Sequence, residues 1–187
     1  MGIMAEDIIE VEDFLPKMYV DKINQNIAEA ENFNWNLIKN ITFKGESETF
    51  PSFTHIVFKR DEGVISDCFE FLYPLVCMIP EKTGIEVNEL HRLRLGLIVK
   101  QPKKEVHPAH IDMPGQKHYT ALYYINESDG DTYVYDQVDG EDPSKFTIKK
   151  RIKPKKNKIA IIDGKYYHSS SSCVRNNKRV VLTINFS

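Results

Sequence analysis

The chain has 187 residues, 41% hydrophobic and 28% charged, which suits one compact domain, or a domain plus a helical extension, better than two full domains, and excludes collagen, coiled coil and disorder. A net charge of -2 argues against a protein built to neutralise a phosphate backbone, so nucleic acid is not an expected partner unless a local patch supplies the charge. The longest apolar runs, such as Leu95 to Val99 and Ile159 to Ile162, fall far below the roughly 18 residues that cross a bilayer, so no membrane partner is expected.

Glu6, Asp7 and Glu10 precede any apolar run, which fits neither a signal peptide nor a transit peptide. Cys68, Cys77 and Cys173 match no metal spacing and read as reduced thiols, which predicts a cytoplasmic protein. From Phe14 to Ala30, Pro16 suits a first helical turn, and Val20, Ile23, Ile27 and Ala30 recur at helical spacing. Phe43 to Phe58, rich in Thr, Phe, Ile and Val, predicts one or two strands. A second amphipathic helix is predicted from about Val64 to Ile79, kinked or divided at Pro74.

After Gly84 the pattern changes to short β-type runs: Glu89 to Val99, Tyr119 to Asn126, Thr132 to Asp136, Phe146 to Lys150, Lys158 to Ile162 and Arg179 to Phe186. Turn chemistry at Ser128-Asp129-Gly130, Asp139-Gly140 and Asp163-Gly164 separates them. Strands without intervening helices imply a mainly β fold, an antiparallel sandwich or barrel with the N-terminal α-helices packed on one sheet.

His110-Ile111-Asp112 puts two metal-ligand types on one side of an extended segment. Alone this is weak, since a chance His-x-Asp is expected roughly 0.4 times per chain of this composition. His168, just past the strand Lys158 to Ile162 and its turn, is positioned to complete a two-histidine, one-carboxylate set, the arrangement of non-haem Fe(II) oxygenases. His107 and His118 flank the pair and read as loop or pocket-rim residues, and His55 and His91 carry no motif.

The stretch from His110 to Phe186 resembles the 2-oxoglutarate and Fe(II)-dependent dioxygenases, specifically their prolyl 4-hydroxylase-like branch. The resemblance rests on ordered motifs: His110-Ile-Asp112, Tyr119-Thr-Ala-Leu-Tyr-Tyr-Ile-Asn126, Asp129-Gly-Asp-Thr-Tyr-Val-Tyr135, Lys158-Ile-Ala-Ile-Ile-Asp-Gly164, His168 and Arg179-Val-Val-Leu-Thr-Ile-Asn-Phe186. It implies a double-stranded β-helix, the jelly-roll or cupin-like core, over about 85–187, with 1–84 as its support in a single domain. It also implies Fe(II) held by His110, Asp112 and His168, with 2-oxoglutarate and O2 as cosubstrates.

By the same resemblance Arg179, eleven residues past His168, grips the far carboxylate of 2-oxoglutarate, with Tyr124 and Thr132 as further cosubstrate contacts. Strand parity favours Arg179, which shares a face with Val181, Thr183 and Asn185, over its competitor Arg175 in the loop-like segment 169–177. The implied reaction is hydroxylation with release of succinate and CO2. The implied substrate is a peptidyl residue such as proline. The alternatives are a small-molecule or nucleobase substrate, and a non-catalytic metal-binding jelly-roll. Phe33, Trp35, Phe43 and Phe50 read as packing more than as a substrate mouth. The run Lys149, Lys150, Arg151, Lys153, Lys155 and Lys156 reads as a solvated hairpin, with an acidic partner as the alternative. Oligomeric state is not legible.

Overall fold

The computed structural model describes residues 7–41, 50–142 and 145–187. In chain order the strands are β1 (Ile8–Val11), β2 (Asn36–Ile38), β3 (Ser52–Lys59), β4 (Gly63–Val64), β5 (Leu90–Val99), β6 (Tyr119–Tyr124), β7 (Thr132–Val138), β8 (Ile148–Ile152), β9 (Lys158–Asp163), β10 (Tyr166–Ser170) and β11 (Lys178–Phe186). Two helical segments interrupt them: α1 (Lys17–Ile23), continued by a π-helical turn over Asn24–Ala28, and α2 (Cys68–Thr83).

The strands form two antiparallel sheets. The larger runs β1-β9-β6-β11-β5-β3-β2, with β4 paired to β3, and the smaller runs β10-β7-β8. Single bridges from Val106 to Ser171 and from His110 to His168 lay the 106–110 segment along the free edge of β10. The expected double-stranded β-helix is therefore present.

Both faces of the larger sheet are buried, which explains why its central strands read as nearly unbroken apolar runs. On one face Leu93, Leu95, Tyr123, Ile161, Val180, Leu182, Ile184 and Phe186 pack against Val20, Ile23 and Ile27 of the first helical segment and Leu72, Leu75, Val76 and Ile79 of α2. The alternate residues Leu122, Tyr124, Ala160, Ile162 and Val181 face Val134, Ile152 and Tyr166 of the smaller sheet. Strand parity thus sorts the chain into a helix-backed core and a barrel interior, and Arg179, Val181 and Thr183 fall on the interior side as the sequence predicts.

The helices differ from expectation at their ends. α2 starts four residues after Val64, because Gly63 and Val64 pair with β3 while Ile65 and Ser66 donate their N–H groups to the Val57 carbonyl. Ser66 Oγ then accepts the Cys68 N–H at 3.2 Å. Pro74 does not divide the helix, which runs through Pro74 and Pro80 to Thr83 and ends at Gly84, held at φ 72° with its N–H on the Pro80 carbonyl. Pro16 sits at the cap of α1. Of the predicted strand region Phe43 to Phe58, the part before Phe50 lies outside the described residues, as does Phe43 itself. Strands β1, β2, β4 and β10 are additions to the predicted set.

The basic run is tied down by the acidic N-terminal segment. Lys149 pairs with Asp7, Lys150 and Lys158 with Glu10, Lys155 with Glu12, and Arg151 with Asp131. It forms the β8 side of the molecule with its charge locally answered.

Candidate functional site

His168 lies on β10 and His110 on the segment bridged to it, and each donates its backbone N–H to the other's carbonyl, at 2.9 and 3.0 Å. That bridge brings the two imidazoles to a centroid separation of 4.5 Å. Asp112, two residues on, completes a cluster whose ligand atoms all lie within 4.8 Å of one another. His110 Nε2 is 3.8 Å from Asp112 Oδ1 and His168 Nε2 is 3.8 Å from Asp112 Oδ2. Two bonds of about 2.0–2.2 Å to a common ion span such a gap.

The second nitrogen of each ring sets its tautomer. His110 Nδ1 faces the Pro108 carbonyl at 3.3 Å, and His168 finds the Tyr166 carbonyl, which leaves both Nε2 lone pairs toward the centre. Burial pushes His168 down to about 4 and lowers His110 too, so both rings are neutral, ligand-competent bases at pH 7. Burial alone would raise the Asp112 carboxyl, but His168, Arg92, His110 and Arg94 together hold it well below the usual carboxylate range. The donor set fits a divalent cation: two imidazoles and one anionic oxygen on one side, with room opposite.

Asp112 is also oriented from behind. Oδ1 accepts Arg92 Nη2 at 2.7 Å, while Oδ2 accepts Asn185 Nδ2 at 2.9 Å and Thr120 Oγ1 at 3.1 Å. Arg92 Nε in turn donates to Asn185 Oδ1 at 2.9 Å. Sequence reasoning missed Arg92, Thr120 and Asn185. The available signal was charge at alternate positions of an interior-facing strand, Arg92 and Arg94 between Leu93 and Leu95.

The same cavity holds Arg179 and Thr132 beside His110, Asp112 and His168. Arg179 is 7% exposed, donates Nε to the Gly130 carbonyl at 2.8 Å and Nη2 to Thr132 Oγ1 at 2.9 Å, and lies 5.7 Å from the Tyr124 ring centroid. The Tyr124 hydroxyl also faces the guanidinium. Tyr124 gives its hydroxyl to Thr132 Oγ1 at 2.9 Å and does not itself line the cavity. The glycine at 130 is sterically required, since a Cβ there would meet the Ser171 carbonyl at 2.6 Å and Arg179 Cδ at 3.0 Å.

Arg175, the competitor, points to solvent with its side chain 85% exposed, near Asp129. The Asp129 carboxylate collects the backbone N–H groups of Val174, Arg175 and Asn176, fixing the loop that leads into β11. Lys178 turns away to the Ala28 carbonyl and Glu29. His107 and His118 are both buried, and His107 lines a small side pocket with Phe50 and Ser172. His107 sits between Ser170 and Ser172, and His118 has Nδ1 on the Gln116 carbonyl. Phe33 packs on Trp35 and His55, and Phe50 on His107.

No protein-family model and no functionally curated protein matches the chain. Solved structures do. An oxidoreductase of the 2OG-Fe(II) oxygenase family from Burkholderia pseudomallei aligns with a TM-score of 0.72 at 10% identity, over 97% of this chain and 85% of that one. A Pseudomonas putida prolyl-4-hydroxylase aligns at 0.60 and 15% identity, over 96% and 91%. The non-heme alpha ketoglutarate dependent epimerase SnoN of nogalamycin biosynthesis aligns at 0.66 and 11%, over 97% and 78%. At such identities the likeness is one of architecture, and the chain has the fold shared by 2-oxoglutarate and Fe(II)-dependent oxygenases, prolyl hydroxylases among them.

Proposed function

We propose that the protein is an Fe(II)- and 2-oxoglutarate-dependent dioxygenase that hydroxylates its substrate, most simply a peptidyl residue such as proline, with release of succinate and CO2. One observation carries this reading: a His110, Asp112 and His168 cluster and the buried guanidinium of Arg179 share one cavity in this fold. His110, Asp112 and His168 would hold the iron. When bound, iron with 2-oxoglutarate and O2 supplies the oxidising equivalent that removes hydrogen from an unactivated C–H bond.

The chain's own residues do the rest. Arg179 offers its guanidinium to the far carboxylate of the cosubstrate, and Gly130 and Thr132 fix it so that little rotamer freedom is lost on binding. Tyr124 acts one step back, orienting Thr132 through its hydroxyl and bearing its ring on the cation. Leu122 and Val181 supply apolar wall that keeps water from the reacting centre. The unpaired Cys68, Cys77 and Cys173 favour a reducing, cytoplasmic setting. The local neutralisation of the basic run speaks against nucleic acid as partner.

The test is an anaerobic titration of the apoprotein with Fe(II) and then 2-oxoglutarate, following the visible charge-transfer band of the chelate. The expected result is a band that His168→Ala lacks and that Arg179→Ala develops only at much higher 2-oxoglutarate. A folded protein that binds a divalent metal yet gives no band and no succinate would instead be a jelly-roll binding module.

A further inference from the structure

Arg92 and Arg94 leave β5 on the same face, two residues apart. Arg92 is fully engaged with Asn185 and Asp112. Arg94 is not. Its Nε is buried without a hydrogen-bond partner, and the charge that acts on its guanidinium is the Asp112 carboxylate, itself hydrogen-bonded by Arg92. A buried donor left without a partner costs folding free energy, so a chain that keeps one has a use for it at that place.

The place is specific. Arg94 lines both the cavity holding the metal cluster and the adjoining mouth, whose other walls include Ile41, Ile111, Pro114 and Tyr167. Arg94 therefore borders both spaces beside His110 and Asp112, which line them too. Gly96, next on the same face, lines the cavity without a side chain, and a Cβ there would meet only the Val181 carbonyl, at 4.0 Å, so the guanidinium is not crowded from that side. The nearby carboxylates are already committed. Asp112 takes Arg92, Thr120 and Asn185, and Asp139 accepts the Gly115 N–H at 2.6 Å.

We infer that Arg94 determines substrate specificity by receiving a carboxylate carried by the substrate, so that the molecules oxidised here are acidic: a small organic acid, or a peptide with Asp or Glu beside the reacting residue. This rests on the oxygenase reading above, in which Arg179 is already assigned to 2-oxoglutarate. A planar guanidinium whose Nε–H lacks a partner binds a carboxylate through paired hydrogen bonds and favours it over the isosteric amide, which brings no negative charge to the cation.

The experiment loads the full chain with Zn(II), a redox-inert stand-in, and 2-oxoglutarate, and follows the side-chain Nε–H resonance of Arg94, assigned by its absence in Arg94→Lys. The probes are N-acetylaspartate against N-acetylasparagine, and two proline-containing peptides that differ only in Asp against Asn. The expected result is saturable movement of the resonance by the acids, with affinity about ten-fold above the amides. In Arg94→Gln that preference is expected to vanish while 2-oxoglutarate binding is kept. Tighter binding of the free acid or of the peptide decides the source of the carboxylate. Equal affinity for acid and amide, or an acid preference that survives in Arg94→Gln, overturns the inference. So does loss of 2-oxoglutarate binding in Arg94→Gln but not in Arg179→Ala, which would make Arg94 the cosubstrate's partner. If 2-oxoglutarate fails to bind the wild type while the acids still move the Arg94 resonance, the oxygenase reading falls and the anion site stands.

Discussion

Asp112 accepts three side-chain hydrogen bonds, from Arg92, Asn185 and Thr120, and this makes it the most constrained member of the metal cluster. Residues that orient a ligand in this way are worth about 10–100-fold in metal affinity. Asn185→Ala is accordingly expected to weaken Fe(II) or Zn(II) binding by about that factor, measured by chelator competition, with the fold kept. Unchanged affinity would mean that Arg92 and Thr120 hold the carboxylate without it. Gly130→Ala tests the other end of the cavity. Its Cβ must displace either the Ser171 backbone or Arg179, so 2-oxoglutarate affinity should fall together with about 1–3 kcal/mol of stability. Retained cosubstrate affinity would show that Arg179 is not held from Gly130. His110, Asp112, His168 and Arg179 share one cavity as the ordered motifs of the family resemblance imply, whereas the His-x-Asp spacing alone is too common to single them out. Arg92, Arg94 and Thr120 receive no role from the sequence, because an alternating polar residue in a strand ordinarily faces water and only the second sheet turns that face inward; strand parity places Asn185 on the interior face, but its bond to Asp112 depends on a partner distant in sequence.

Elements with strong periodicity were legible in kind, and their ends were decided by partners distant in sequence. Val64 carries a helical pattern yet is taken by β3, and Pro74 is absorbed because α2 is held by its apolar stripe, with Leu72, Leu75 and Ile79 fully buried in the helix-backed core. Leu72→Ala should therefore cost about 2–5 kcal/mol in urea unfolding, whereas Tyr73→Ala, at a position 42% exposed on the same helix, should cost far less. Equal losses would mean that α2 is not seated as described. β1 and β10 were missed for a different reason. Each is only four or five residues long and carries Glu10 or His168 in its middle, so neither shows a clean two-residue alternation. Their pairing depends on β9 and β7, which no local pattern discloses.

At the scale of the whole molecule, closing the two sheets over the cavity takes several histidines out of water at once. Burial pushes both His107 and His168 down from 6.5 to about 4, with the Arg179 cation adding to it at His107 and His110 at His168. Below pH 6.5 the unfolded chain binds protons at these positions and the folded protein does not, so stability must fall as pH falls. The contribution is fully present above about pH 6.5 and is lost progressively toward pH 4, on the order of 3 kcal/mol for each ring. Asp112 acts in the same direction, because a carboxyl held low by its cationic neighbours favours folding only while it stays ionised. The metal-free protein is therefore expected to lose several kcal/mol between pH 7 and pH 5 in urea unfolding. His107→Gln, which retains an amide between Ser170 and Ser172, should flatten that slope by about a third to a half without touching the metal cluster. A slope unchanged by His107→Gln would place the titration at the cluster alone. Because His168 stays neutral in the folded protein down to about pH 4, Zn(II) should stabilise the protein nearly as much at pH 5 as at pH 7, and a much weaker effect at pH 5 would show that burial does not hold the ring neutral.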